Sequence, residues 1–445
     1  MSGSRSTRPP LVQAVRSTLR PFARAVRAFR GVQPPVADPF RRFRDPRGPS
    51  IVAIPPLVQV PAYGGTGRVT LLVPGLEMAR MTGGPNTALN LVARLAEHGI
   101  ALRFVAALTR LDDDPTDVQA HIEQLSGVEL ANEVELVEVG ATAPLEVAPD
   151  DIFIATSWPT AHIAERARRL TPAPAFVYLI QDYEPGFYPF STSYAMAAAT
   201  YRMPTRAIFN ERLLLEHFRR DRIGRFGDDD GAATRTWTSF EPAVDRQLFR
   251  PGPHASSRRR LLFYARPGNQ RNCFDLGLRA LRMAVAEGAF RPEEWEIGSI
   301  GATIPALDLG GGRTLRPTPW MSYSDYATYI AESDVMLSLM LSPHTSYPPL
   351  EMAATGGRVV TNVFSVKTAE SMHGISASID AVEPDPDAVA AALLRAERAA
   401  AGGQPAWDES FALPASWDDA FRDTVPWLVA TLAELAAARG ESPSP

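Results

Sequence analysis

The stretch VTLLVPGLEMARMTGGPNTALNLVARLAEHGIALRFVAA, residues 69–107, decides the architecture. Val69–Val73 reads as a short apolar strand, closed by Pro74-Gly75. The segment Thr82-Gly83-Gly84-Pro85 follows, then apolar residues at helical spacing from Asn86 to His98, with Gly99 as the C-terminal stop. Leu102–Ala107 is the next strand. Strand, glycine loop, helix and strand make a βαβ unit, which demands a parallel sheet covered by helices.

The alternation continues with strands at Asp151–Ala155, Ala175–Ile180 and Arg206–Asn210, and helices at Pro159–Leu170 and Glu211–Arg220. It restarts after the polar, Pro-containing segment Phe240–Pro251. Arg260–Tyr264, Trp295–Ile300, Val335–Leu339 and Val359–Thr361 then read as strands, and Cys273–Glu287, Tyr323–Ser333 and Leu350–Gly356 as helices. The expected organisation is an extension over 1–66, a Rossmann-like domain over 67–240, a second over 251–413, and a C-terminal helix and tail over 414–445. Two doubly wound α/β domains joined by a hinge place ligands in the cleft, at the carboxyl ends of both sheets.

Composition narrows the chemistry. Of 445 residues, 45% are apolar and 21% charged, as in ordinary globular proteins. The single cysteine, Cys273, excludes an intrachain disulfide, and the seven histidines have no ligand spacing, so no metal site is expected. Lys367 is the only lysine against 44 arginines and lies in a segment read as a loop. Without a Gly-Lys pair, P-loop phosphate chemistry is excluded. Net charge is −5, but residues 1–48 hold eleven arginines and two acids, which leaves −14 on the rest. An acidic body does not suit nucleic acid.

Within the extension, Leu11, Val15, Leu19, Phe22, Val26 and Phe29 share one helical face, beside Arg16, Arg20, Arg24, Arg27 and Arg30. Such a helix suits an anionic membrane surface, or docks on the protein's own body. No apolar run is long enough to span a bilayer and no secretory signal is read, so the expected place is the cytoplasm, with peripheral contact at the inner face of the membrane.

Four clusters carry candidate chemistry. Gly83-Gly84 ahead of a helix offers amides to a phosphate or sugar hydroxyl, and equally makes a plain turn. Arg266 and Arg271 leave the end of a central strand; two forked guanidiniums suit a diphosphate, although solvated surface arginines read the same way. In the run from Ser342 to Glu351, His344, Ser346 and Tyr347 are candidate donor-site residues, with Ser346 and Tyr347 on phosphate oxygens and Glu351 on the ribose hydroxyls. A glutamate in a first turn also suits the helix dipole. Asp182 and Glu184, in Gln181-Asp182-Tyr183-Glu184-Pro185-Gly186, are candidates for acceptor base or sugar-hydroxyl ligand, and are also common turn formers. The Asp runs 112–114 and 228–230 read as solvated loops, and no metal is assigned to them.

Taken together, these motifs resemble the retaining glycosyltransferases of family four, of GT-B architecture, over nearly all of residues 67–435. The resemblance rests on Gly83-Gly84, on Ala243-Val244-Asp245 with Phe249-Arg250-Pro251, on Arg266 and Arg271, on Glu351-Met352-Ala353-Ala354-Thr355-Gly356, and on Ser416-Trp417. It implies retention of anomeric configuration, a nucleotide-sugar donor on the second domain, Arg266 and Arg271 on the leaving diphosphate without metal or cofactor, and a C-terminal helix crossing back to the first domain. Two departures stand out: Pro343 occupies the place of a second glutamate, and Arg271 that of a lysine. The spellings around Asp182 and Glu351 look most like bacterial rhamnosyltransferases, which use dTDP-rhamnose on surface or cell-wall glycans. That likeness implies a glycan or lipid-linked glycan acceptor. A sugar-nucleotide epimerase and a non-catalytic glycan-binding scaffold of the same fold stay open as other readings.

Overall fold

The structure is a computed structural model and describes residues 54–64, 67–78, 83–109, 111, 113–130, 134–140, 143–227, 236–252, 256–402 and 411–438. The basic helix expected within 11–30, Thr82, Asp112 and the Asp run 228–230 lie outside the described residues.

The strands are β1 (Leu57–Gln59), β2 (Arg68–Val73), β3 (Ala101–Ala106), β4 (Glu135–Glu138), β5 (Leu145–Val147), β6 (Asp151–Ala155), β7 (Phe176–Ile180), β8 (Thr205–Asn210) and β9 (Trp237–Phe240) in the first half. Seven of them form one parallel sheet in the order β4-β3-β2-β6-β7-β8-β9, and β1 pairs with β5 alone. Central β2 is buried at every position, because helices cover both faces of a parallel sheet. The second half holds β10 (Arg259–Ala265), β11 (Trp295–Gly301), β12 (Leu307–Gly310), β13 (Arg313–Pro317), β14 (Val335–Leu337), β15 (Arg358–Asn362) and β16 (Ile379–Val382). Their order is β12-β13-β11-β10-β14-β15-β16, parallel except for the β12–β13 hairpin.

Each sheet has a core on both faces. Phe421, Leu428, Leu432 and Leu435, from the helices Trp417–Phe421 and Thr424–Ala437, belong to the core of the first sheet. The chain therefore passes from the first sheet to the second and returns. The return runs beside the outward link, where Val244 N donates to Pro414 O at 3.0 Å. Arg94 seals it with an ion pair to Asp418 at 2.6 Å. Among the described residues, no helix is long and apolar enough to cross a membrane.

The periodicity misses several elements, including β4, β9, the β12–β13 hairpin and the helices Pro115–Ser126, Thr192–Thr200 and Pro386–Ala401. One helix starts earlier than expected, at Tyr347 rather than Leu350. Pro348 and Pro349 do not stop it, since first-turn amides lack intrahelical partners anyway. Ser346 caps it with φ at 72°, a left-handed backbone that a non-glycine residue seldom adopts.

Candidate functional site

A cleft of about 610 Å³ opens where the carboxyl ends of β2, β7 and β8 face those of β10 and β11. Among its lining residues are Gly83, Gly84, Asp182, Glu184, Arg266, Arg271, His344, Ser346, Tyr347 and Glu351. Every candidate residue read from the sequence thus borders one cavity.

Arg271 is held by its own chain and by the neighbouring strand. After β10, a turn bonds Asn269 N to Arg266 O at 2.9 Å, and a short 3-10 segment carries Arg271 inward. Leu341 N donates to Arg271 O at 2.8 Å, and Asn272 Nδ2 donates to Leu339 O at 3.1 Å. Its guanidinium stacks over Phe187 at 4.2 Å and pairs through Nη1 with Asp182. Nε of Arg271 is buried without a protein partner. Arg266 is looser: its guanidinium lies over the Tyr264 ring, 6.0 Å from the centroid.

Asp182 follows β7 and is buried. Besides Arg271, it accepts from Ser342 Oγ and from Tyr183 N, the latter at 2.8 Å. Two of these three partners come from the second domain. Glu184 stands differently: its Oε2 accepts from Trp158 N and from Tyr178 OH at 3.3 Å. Burial, reinforced by the charge of Asp182, pushes its carboxyl up to about 8. Glu184 thus holds the first amide of the helix Trp158–Arg168 and takes up a proton more readily than an ordinary carboxyl.

Residues 338–347 are fastened along their length. Asn362 brackets Met340, accepting from its N at 2.7 Å and donating to its O at 3.1 Å. Ser342 Oγ accepts from His344 N at 3.1 Å. His344 Nδ1 accepts from Ser346 N at 2.9 Å, which places the ring proton on Nε2. Burial pulls His344 down to about 4, so the ring stays neutral. Its Nε2 has no protein partner and stands in the cleft wall, as do Gln181 Oε1 and Asn210 Oδ1.

The Tyr347 hydroxyl is not free for phosphate. It lies 2.8 Å from Thr87 Oγ1 and accepts from Asn210 Nδ2 at 3.3 Å, so it bridges the domains. Glu351 accepts from Tyr326 OH at 2.7 Å, and burial pushes its carboxyl up to about 7. Gly83 has φ at 55°, and a Cβ on Gly84 would stand 3.1 Å from the Gln181 amide, so both positions favour glycine for local reasons.

Sequence reading missed the cross-domain partners. Glu211, buried at the end of β8, accepts from Thr345 N and Oγ1 at 2.7 Å each, and burial pushes it up to about 8. Strand-end position was a legible signal for Asn210 and Glu211; their partners 130 and more residues away were not. In the first Asp run, Asp113 accepts from Met78 N and Asp114 caps the helix Pro115–Ser126. Among the described residues, no three His, Cys, Asp or Glu side chains are grouped to hold a cation.

The two halves match one family in order, the WsaF N-terminal domain over residues 68–212 and the WsaF C-terminal domain over 259–394. The chain belongs to the WsaF family. This WsaF-type chain has the fold of GT-B glycosyltransferases. The α,α-trehalose-phosphate synthase (UDP-forming) of Burkholderia vietnamiensis aligns with a TM-score of 0.54, at 11% identity, over 85% of this chain and all of its own. HepE of Anabaena, solved with UDP and glucose, aligns with a TM-score of 0.52, at 10% identity, over 82% of this chain and 99% of its own. In sequence, the O-antigen biosynthesis protein RfbC of Myxococcus xanthus is 35% identical over 254 residues. That match takes in 55% of this chain and only 18% of the relative.

Proposed function

We propose that the protein transfers a glycosyl group from a nucleoside diphosphate sugar to a glycan acceptor, with rhamnose on dTDP as the donor and retention at the anomeric carbon. The observation that carries this reading is the seat of Arg271: a guanidinium at the carboxyl end of β10, with unpartnered Nε, facing a cleft that also holds Glu351. Kinship with WsaF and with an O-antigen biosynthesis protein supports the glycan acceptor.

In this reading the bond from the sugar to the β-phosphate oxygen breaks while the acceptor hydroxyl bonds to the same carbon. Charge grows on the leaving diphosphate, where Arg266 and Arg271 donate into it without a metal; preorganised donors of this kind lower the barrier of such reactions more than any other single effect. Glu351 accepts the ribose hydroxyls. His344 Nε2, Gln181 and Asn210 are neutral and meet the sugar hydroxyls. Asp182, rather than protonated Glu184, receives the acceptor proton. The basic segment 1–48 brings the enzyme to an anionic membrane and a lipid-linked acceptor.

A panel of dTDP-, UDP- and GDP-sugars, assayed for nucleotide release with a glycan acceptor and with EDTA, tests the reading. Acceptor-dependent release from dTDP-rhamnose that survives EDTA supports it. Release without acceptor dependence is donor hydrolysis, conversion of the donor sugar without nucleotide release favours the epimerase, and no nucleotide binding at all favours the scaffold. Vesicle sedimentation with and without residues 1–48 tests the membrane contact.

A further inference from the structure

Lys367 is the one lysine of the chain, and its side chain is wholly buried. Its Nζ donates to Met340 O at 2.8 Å, although Asn362 already satisfies that carbonyl. Burial pulls the ammonium down to about 8 against the attraction of Glu211 and Asp182, so it remains a cation at neutral pH. An apolar side chain would fill the same space at lower desolvation cost, so packing alone does not explain a charge here.

The lysine closes a tight turn. Phe364 N donates to Lys367 O and Lys367 N to Phe364 O, both at 2.9 Å, with Ser365 between them at φ 59°. Ser365 Oγ reaches the first domain: it lies 2.8 Å from His217 Nδ1 and accepts from Arg220 Nη2 at 2.8 Å. At the other end, Met340 Sδ lies 2.9 Å from Arg271 Nη1. One short turn therefore touches the opposite domain and, through a single side chain, the neighbour of the clamp arginine.

We propose that the Phe364–Lys367 turn is a positioning element, in which the Lys367–Met340 bond couples the cross-domain contact at Ser365 to the seat of Arg271. Its catalytic consequence rests on the reading of Arg271 as the diphosphate clamp; the coupling itself does not. With donor bound, the contact of the turn with the first domain holds Arg271 in place for the departing charge.

A single lysine makes the test clean. Full-length protein labelled with 15N-lysine gives one side-chain ammonium resonance. In the free protein, Ser365→Ala and Arg271→Ala should each shift it, and saturating dTDP or UDP should shift it in the wild type. Lys367→Met should lower kcat about tenfold or more, with donor KM changed less and with Tm unchanged or raised, since a buried charge has been removed. A resonance that stays put in both variants, or Lys367→Met at wild-type kcat, overturns the proposal. If neither nucleotide binds the wild type, the donor-site reading fails, and the two free-protein variants still decide the coupling. Those variants also stand if Lys367→Met fails to fold.

Discussion

Arg271, beyond the carboxyl end of β10, is ion-paired across the cleft with Asp182, beyond the carboxyl end of β7. Both side chains are largely shielded from water, at 16% and 10% exposure, so solvent screens the pair little. A diphosphate that takes Arg271 therefore competes with a carboxylate for its charge. Asp182→Asn is expected to tighten dTDP or UDP binding by about three- to tenfold, on the order of 1 kcal/mol. Calorimetric titration reads this directly, and equal or weaker binding in the variant would show that Arg271 keeps its partner when nucleotide arrives.

The same pair separates catalysis from stability. Arg271→Ala should lower kcat by roughly two to three powers of ten, about 3–4 kcal/mol of lost charge stabilisation. It also strands the Asp182 carboxylate with only Ser342 and the Tyr183 amide, so Tm should fall. Adding Asp182→Asn should restore Tm and leave kcat low. Recovery of turnover in the double variant would make Arg271 a purely structural partner of Asp182.

The β2–helix–β3 unit was legible because parallel strands buried on both faces are mostly apolar, here interrupted by Thr70 and Arg103, and Gly99 stops the intervening segment. The strand ends then located Arg271, Asp182 and Glu351, since ligands meet open α/β sheets at that edge. What the sequence hid is long-range. Nothing in the spelling of Tyr347 points to Thr87 and Asn210, and nothing in Lys367 announces that a loop residue is wholly enclosed. Short edge strands such as β12 and β16 escaped for a different reason: four residues with mixed burial carry too little periodicity to read.

Glu351 is pushed up to about 7 by burial, so its ionisation falls within the working pH range. A carboxylate accepts hydrogen bonds from two ribose hydroxyls, whereas the acid has lost part of that capacity. Donor KM should therefore rise as pH falls from about 8 to about 6. Glu351→Gln should raise donor KM, lower kcat less, and flatten this pH dependence, because it removes binding shared by ground and transition states. A donor KM in Glu351→Gln that still varies with pH as in the wild type would place the titrating group elsewhere.

Buried carboxyls should also set how the fold responds to pH. Glu184 and Glu211 are both raised from 4.5 to about 8, chiefly by burial. Between those values the folded chain holds a proton at each site that the unfolded chain has released. Stability is then greatest below the unfolded value and is lost as pH rises through the folded one, with each group contributing up to about 1.4 kcal/mol per pH unit. Below 6.5 this trend is opposed by His344, lowered to about 4, and by His162 and His217, also lowered, because the unfolded chain protonates them more readily. Above about 8, Lys367 opposes it as well, since its ordinary value is 10.5. The clear window runs from about pH 6.5 to about pH 8, where Tm measured by calorimetry should decline. Glu184→Gln keeps a neutral, hydrogen-bonding side chain beside Trp158 and Tyr178, so its decline should be shallower than the wild type's. A wild-type Tm that does not decline across this window would mean that neither carboxyl holds a proton there in the folded protein.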